Sequence, residues 1–225
     1  TDRGIVLPSE FIPLAEESNL ILQIGEWVLD RVCRDLKSWQ LTPMKPVRVS
    51  VNLSLRQLKQ RNFISRVQAT YGKHGVSPEA LELEITESTM MEDPTRTLRL
   101  LKELHEMGLR LAIDDFGTGY SSLSALQQFP ISTLKIDRSF VCNATTNHDQ
   151  ATIVSMIIEM GHSLRLDVVA EGVESEDQLR FLRALNCDHA QGMLFGQAMA
   201  ADDFRELVLA QGGGAGRYRP LFARG

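Results

Sequence analysis

Leu81-Glu82-Leu83-Glu84-Ile85-Thr86 and Arg110-Leu111-Ala112-Ile113-Asp114 both alternate apolar with other residues, and the segment between them decides how the chain folds. Asp93-Pro94 reads as an N-cap followed by proline at the first helical position. Leu98, Leu101 and Leu104 then recur at helical spacing until Gly108 stops the run. Strand, helix, strand in that order demands a crossover, hence a parallel pair of right-handed connection. The pattern repeats outward. Further β-branched runs lie at residues 47–53, 133–136, 167–170 and 190–195. Asn147 with Gln150 predicts a capping box ahead of Ile153, Ile157, Ile158 and Gly161, and Ser175 with Gln178 predicts another ahead of Leu179, Leu182 and Leu185. Before the first strand, Ser9 reads as the N-cap of a helix carrying Phe11, Leu14 and Ala15. A second helix carries Trp27, Val28, Arg31, Leu36 and Trp39. The fold class is α/β, and two architectures fit: an open doubly wound sheet, or a (β/α) barrel with its first strands upstream of Thr1.

Composition narrows the functional classes. With 24 Lys+Arg against 29 Asp+Glu, the net charge of −5 argues against duplex nucleic acid as a partner. It admits a phosphate ligand only where metal ions supply the positive charge. No apolar run approaches a membrane span, and the N-terminus lacks the pattern of a signal peptide. Cys33, Cys142 and Cys187 are odd in number and far apart, which suits a reducing cytoplasm better than a disulfide framework. Residues 211–225 are glycine-rich with Arg217, Arg219 and Arg224, and read as a flexible tail beyond a single domain of residues 1–210.

Polar residues gather at the C-terminal ends of the predicted strands: Asn52, Glu84, Asp114 with Asp115, Lys135 with Asp137, Glu171 with Glu174, and Gln191. In parallel α/β barrels this is the end where active sites form. Side-chain parity supports convergence. Ser50 and Asn52, Glu82 and Glu84, Ala112 and Asp114, and Lys135 and Asp137 fall on the axis side, opposite the Val, Leu and Ile residues between them. Any one such acid reads better as a solvated loop residue; five strand ends at once do not. Converging carboxylates need a cation. Oxygen ligands point to Mg²⁺ or Mn²⁺ rather than Zn²⁺, because His74, His105, His148, His162 and His189 form no paired motif. Two such ions suit phosphodiester hydrolysis. Lys135 reads either as part of this site or as a structural ion-pair partner of Asp137. After the third strand comes Asp114-Asp115-Phe116-Gly117-Thr118-Gly119-Tyr120-Ser121-Ser122, whose glycines allow tight backbone near a ligand. No Gly-Lys-[Ser/Thr] follows, so it is not a Walker loop.

Six motifs in order resemble the EAL-type cyclic di-GMP phosphodiesterase domain of bacteria: Ser50-Val51-Asn52-Leu53-Ser54, Glu82-Leu83-Glu84-Ile85-Thr86-Glu87-Ser88, the 114–122 segment, Leu134-Lys135-Ile136-Asp137-Arg138-Ser139-Phe140, Ala170-Glu171-Gly172-Val173-Glu174, and Gln191-Gly192. The resemblance implies a modified (β/α)8 barrel, TIM-like, that opens cyclic di-GMP to linear pGpG with two Mg²⁺ or Mn²⁺ ions. It implies Asn52, Glu84, Asp114, Asp115 and Glu171 as metal ligands, with Asp114 the bridge. Lys135, Glu171 and Gln191 are then the catalytic set, Lys135 orienting the nucleophilic water and offsetting charge, and Gln191 holding that water or a neighbouring ligand. Glu174 and Asp137 line the substrate side, and Glu87 anchors the loop of residues 116–122. Homodimerisation follows too, as does an upstream sensory or diguanylate-cyclase-like domain in a cytoplasmic protein or in the cytoplasmic part of a membrane-anchored one.

One departure stands out. The Glu-Ala-Leu tripeptide of the family, whose glutamate is a metal ligand, is absent and belongs on a strand before Thr1. Either the domain opens upstream of Thr1 or the protein is a natural truncation. The intact remaining motifs favour the first, and residues 1–225 alone are then expected to turn over poorly and to aggregate. Two other classes compete with the enzyme: a domain that senses cyclic di-GMP without cleaving it, and an interaction scaffold. The full carboxylate set counts against the scaffold.

Overall fold

The six strands lie side by side in the order in which they occur along the chain, and every pair is parallel. That order excludes the doubly wound alternative, whose strand order reverses at a switch point, and is that of a barrel wall. The computed structural model describes residues 6–44, 46–119 and 123–210. The tail and residues 120–122 of the glycine loop lie outside the described residues. The elements are α1 (Pro8–Glu17), α2 (Leu20–Gln40), β1 (Val49–Asn52), α3 (Leu55–Leu58), α4 (Phe63–His74), β2 (Leu81–Thr86), α5 (Glu87–Glu92), α6 (Pro94–Glu106) and β3 (Arg110–Phe116). They continue with α7 (Leu123–Leu126), β4 (Thr133–Ile136), α8 (Arg138–Val141), α9 (His148–Ser163), β5 (Asp167–Ala170), α10 (Glu176–Ala184), β6 (His189–Ala190) and α11 (Ala201–Ala210). None of the described helices is long and apolar enough to cross a membrane.

Strand parity sorts the side chains as expected. Leu81, Leu83, Ile85, Leu111, Ile113, Leu134, Ile136 and Val168 are fully buried in the layer that receives Leu101, Leu104, Val154, Ile158, Leu179 and Leu182 from the helices. Each such side chain contributes about 2 kcal/mol. Where α9 crosses β5 the backbones approach closely. A Cβ on Gly161 would lie 2.4 Å from Val168 Cγ2, so the crossing requires glycine there. Asp93 caps α6 by accepting from the Arg96 amide, and Ser175 with Gln178 forms a complete capping box on α10. Ser54 with Gln57 forms another on α3 that the sequence reading passed over.

Five expectations are corrected. The residues expected to cap α1 and to box α9 behave differently. Helix α1 starts at Pro8 with Leu7 as its cap position, because proline at N1 needs no side-chain cap and pre-sets φ, so Ser9 lies inside the helix. Asn147 does cap α9, but the Gln150 amide turns away, toward the Ser139 and Phe140 carbonyls, so no reciprocal box forms. Strand β1 is shorter than 47–53, and β3 runs two residues past Asp114. The last strand is His189–Ala190 rather than 190–195. Gly192 sits so close to Val173 that a Cβ would fall 2.2 Å from its carbonyl oxygen, and the chain turns there, with Phe195 N bonding back to Gly192 O. The apolar Met193-Leu194-Phe195 run belongs to that turn.

A candidate metal and active site

On the axis face of the sheet, side chains from strands two apart meet. A flat sheet would hold such strands about 9.5 Å apart. Here Lys135 of β4 reaches over β3 to Glu84 of β2, Nζ donating to Oε2 at 2.7 Å. The residue beneath that span is Ala112, the register partner of Glu84 and of Thr133. Its methyl group leaves the room the ion pair occupies. Lys135 Nζ also lies 2.6 Å from Glu171 Oε1, just past β5, and 3.2 Å from Asp114 Oδ1. The ammonium is 5 % exposed. Burial pulls its pKa down, yet the three carboxylates around it outweigh burial and hold it above the ordinary lysine value. The amine therefore keeps its proton.

Consecutive residues of a strand point to opposite faces, yet Asp114 and Asp115 share one cluster. The β3–β4 register shifts between Ile113 and Phe116, and Asp115 adopts φ 54°, in the left-handed region. This irregularity turns Asp115 toward the same side as Asp114, a strained arrangement of the kind found at functional sites. Carboxylate oxygens of Asp114, Asp115 and Glu171 all lie within 4.8 Å of one another. The charges tell on each other. Burial, then the neighbouring Asp114 and Asp137 carboxylates, push Asp115 upward. Glu84 and Glu171 are pushed up by burial first, against the pull of Lys135. Four carboxylates thus face a single ammonium, and the donor set is all oxygen. These residues fit Mg²⁺ or Mn²⁺.

The remaining expected site residues take varied places. Asn52 ends β1 beside Glu84 as its register partner and is exposed. Gln191 is also exposed; its amide donates to Ala170 O at 2.9 Å and its carbonyl accepts from Val173 N at 3.0 Å, which sets it beside the Glu171 strand end. Glu174 is half exposed and pairs with Arg138 at 3.3 Å. Asp137 caps α8, accepting from the Ser139 amide at 3.0 Å and from its hydroxyl, and its carboxylate also reaches Asp115. The described ion pairs of Lys135 go to Glu84, Asp114 and Glu171, so the reading of Lys135 as a structural partner of Asp137 is not what the structure shows. Glu87, 3 % exposed at the start of α5, accepts at Oε2 from the amides of Gly117 (3.0 Å) and Gly119 (3.2 Å). A Cβ on Gly119 would sit 2.8 Å from the Glu87 carboxyl carbon, so the contact depends on glycine.

The sequence reading missed a second polar layer, one step below this cluster. Glu82, 6 % exposed, accepts from Thr133 Oγ1 at 2.6 Å and from Ser50 Oγ at 3.0 Å. Arg110 Nη2 donates to Asp167 at 2.8 Å, and Arg110 Nε lies 3.7 Å from Glu82. The signal was present in parity, since Ser50, Glu82 and Thr133 each precede an axis-facing site residue by two.

Comparison with known proteins bears on this site. The family described as EAL domain matches residues 1–198. The bifunctional diguanylate cyclase/cyclic di-GMP phosphodiesterase MucR of Pseudomonas aeruginosa is 45% identical over 199 residues, 88% of this chain and 29% of MucR. The cyclic di-GMP phosphodiesterase NbdA of the same organism is 40% identical over 208 residues, 92% of this chain and 27% of NbdA. The chain therefore spans less than a third of these relatives' length. A solved structure of the MucR phosphodiesterase in complex with c-di-GMP superposes with a TM-score of 0.86 at 44% identity, covering 88% of this chain and 81% of that one.

Proposed function

The chain belongs to the EAL domain family, and on that footing we propose that it hydrolyses one phosphodiester bond of cyclic di-GMP, giving linear pGpG. The observation that carries the reading is Lys135 enclosed by Glu84, Asp114 and Glu171, with Asp115 turned into the same cluster by the β3 irregularity. It is supported by the similarity to MucR and NbdA.

In this reading Asn52, Glu84, Asp114, Asp115 and Glu171 hold two Mg²⁺ or Mn²⁺ ions. When bound, such ions offset charge on the phosphoryl oxygens and make water acidic enough to attack at neutral pH. Lys135, kept protonated by its carboxylates, serves as a donor that orients the water and offsets charge, not as a base. Gln191, at the end of β6, faces the same water. Glu174 and Asp137 border the substrate. Glu87 holds the glycine loop beside Asp115, so that the loop's order and the ligand geometry depend on one another. Homodimerisation and a cytoplasmic setting belong to the same proposal, as does work beside a sensory or cyclase-like domain, which the description of MucR as bifunctional supports.

The test is turnover of cyclic di-GMP with Mn²⁺ or Mg²⁺, read by chromatography of pGpG. Asp114→Asn and Glu84→Gln should each lower it by about a thousandfold or more while circular dichroism stays unchanged. Near-normal turnover by either folded variant would remove the metal assignment. Tight cyclic di-GMP binding without any turnover, by a chain that includes the strand upstream of Thr1 as well as by residues 1–225, would instead make the domain a sensor.

A further inference from the structure

We propose that Glu82, through Thr133 and Ser50, is a positioning residue that sets the height of the metal-binding layer above it; this rests on the phosphodiester-hydrolysis reading. The geometry is a pair of stacked spans. Glu84–Lys135 crosses β3 at 2.7 Å, and two residues lower Glu82–Thr133 crosses the same strand at 2.6 Å. Both pass over Ala112, which is 1 % exposed. The lower span also takes in β1, because Ser50 Oγ donates to the other oxygen of Glu82 at 3.0 Å. One carboxylate thus ties β1, β2 and β4 at a single level. Two residues further along, the same three strands present Asn52, Glu84 and Lys135.

Parallel neighbours are fixed in register by their ladder, but β2 and β4 share none, since β3 lies between them. Both are laddered to β3, but the β3–β4 ladder shifts between Ile113 and Phe116, at the height of the site, and there axis-face side chains join β2 to β4 directly. A charge-assisted hydrogen bond in a buried setting is directional and strong. Without the Thr133 hydroxyl, the direct tie of β4 to β2 across the irregular part of β3 rests on Lys135, whose ammonium then adjusts to its three carboxylates instead of holding them in place. The carboxylates lose their shared geometry, and ions that demand a strict oxygen shell bind less well.

Thr133→Val keeps the shape of the side chain and removes the donor; Thr133→Ser keeps the donor and removes a methyl group. Mn²⁺ affinity, read by electron paramagnetic resonance of free ion, serves as the measure independent of turnover. Thr133→Val is expected to weaken Mn²⁺ binding and lower kcat for cyclic di-GMP by about tenfold each, with KM for cyclic di-GMP unchanged. Thr133→Ser is expected to restore both to within about twofold. Equal losses in the two variants would show that packing and not the hydrogen bond matters, and would overturn the proposal. So would wild-type Mn²⁺ affinity in a folded Thr133→Val. If a chain that includes the strand upstream of Thr1 binds Mn²⁺ but does not cleave cyclic di-GMP, the hydrolytic reading fails, and the affinities of the two variants still decide the positioning role.

Discussion

The two polar layers on the axis face are built from the same strands two residues apart, yet they solve opposite problems. The lower one is matched in charge, although Arg110 Nε has no hydrogen-bond partner among the described residues. Glu82 is met by two hydroxyls and the edge of Arg110, and Arg110 is met by Asp167. The upper one is left short of positive charge, with Lys135 set among three carboxylates and Asp115 added by a strand irregularity. A buried carboxylate satisfied by its neighbours stabilises one geometry. Carboxylates that outnumber their cations remain attractive to another cation. The lower layer thus acts as frame and the upper as receptor, and the difference is one of charge matching rather than of residue type.

If that contrast holds, the cations of the two layers should behave differently when removed. Lys135→Met leaves the upper carboxylates unpaired and should cost about 3–5 kcal/mol of stability in a chelator. Millimolar Mn²⁺ should restore much of it, read as a shift of the thermal midpoint. Arg110→Met, in a partly exposed pair, should cost about 1–2 kcal/mol, and metal should restore none of it. An equal response of both variants to Mn²⁺ would erase the distinction between frame and receptor. The smallest effect on stability is expected for Glu87→Ala, within about 1 kcal/mol. There the amides of Gly117 and Gly119 lose their acceptor. Their hydrogen exchange should quicken and the Mn²⁺ concentration for half-maximal rate should rise; unchanged exchange at both amides would exclude the anchoring role.

How far the sequence could be read follows the same division between local and non-local causes. Strands β2, β4 and β5 have the bounds that alternation implies, because period-two patterning is a local signal. The last strand does not, because the close approach of Gly192 to Val173 is a tertiary fact that a run of apolar residues conceals. Parity placed Glu84, Asp114 and Lys135 on one face, and the motifs brought in Asp115. How Asp115 gets there was illegible, since a left-handed residue and a register shift break the alternation on which parity depends. The partners of Lys135 were legible only as a choice. Asp137 lies close in sequence, but it is taken up capping α8, and the ammonium instead spans a strand to Glu84. Such spans join strands that are not neighbours, a pairing no single strand encodes.

The neighbour-to-neighbour strand order also bears on how the protein is made. Each strand pairs with the one synthesised before it, Val49 with Leu81, Glu82 with Arg110, Thr133 with Asp167, so every new pairing closes a loop of modest length. Assembly can advance along the chain as it leaves the ribosome, amino end first. The carboxylate cluster cannot, for its members run from Glu84 to Glu171. It comes into being only when β5 has docked on β4, four strands after β1. On the proposed function, metal capture is then a late event in the life of each molecule, and metal content would report the share of chains in which β5 has docked.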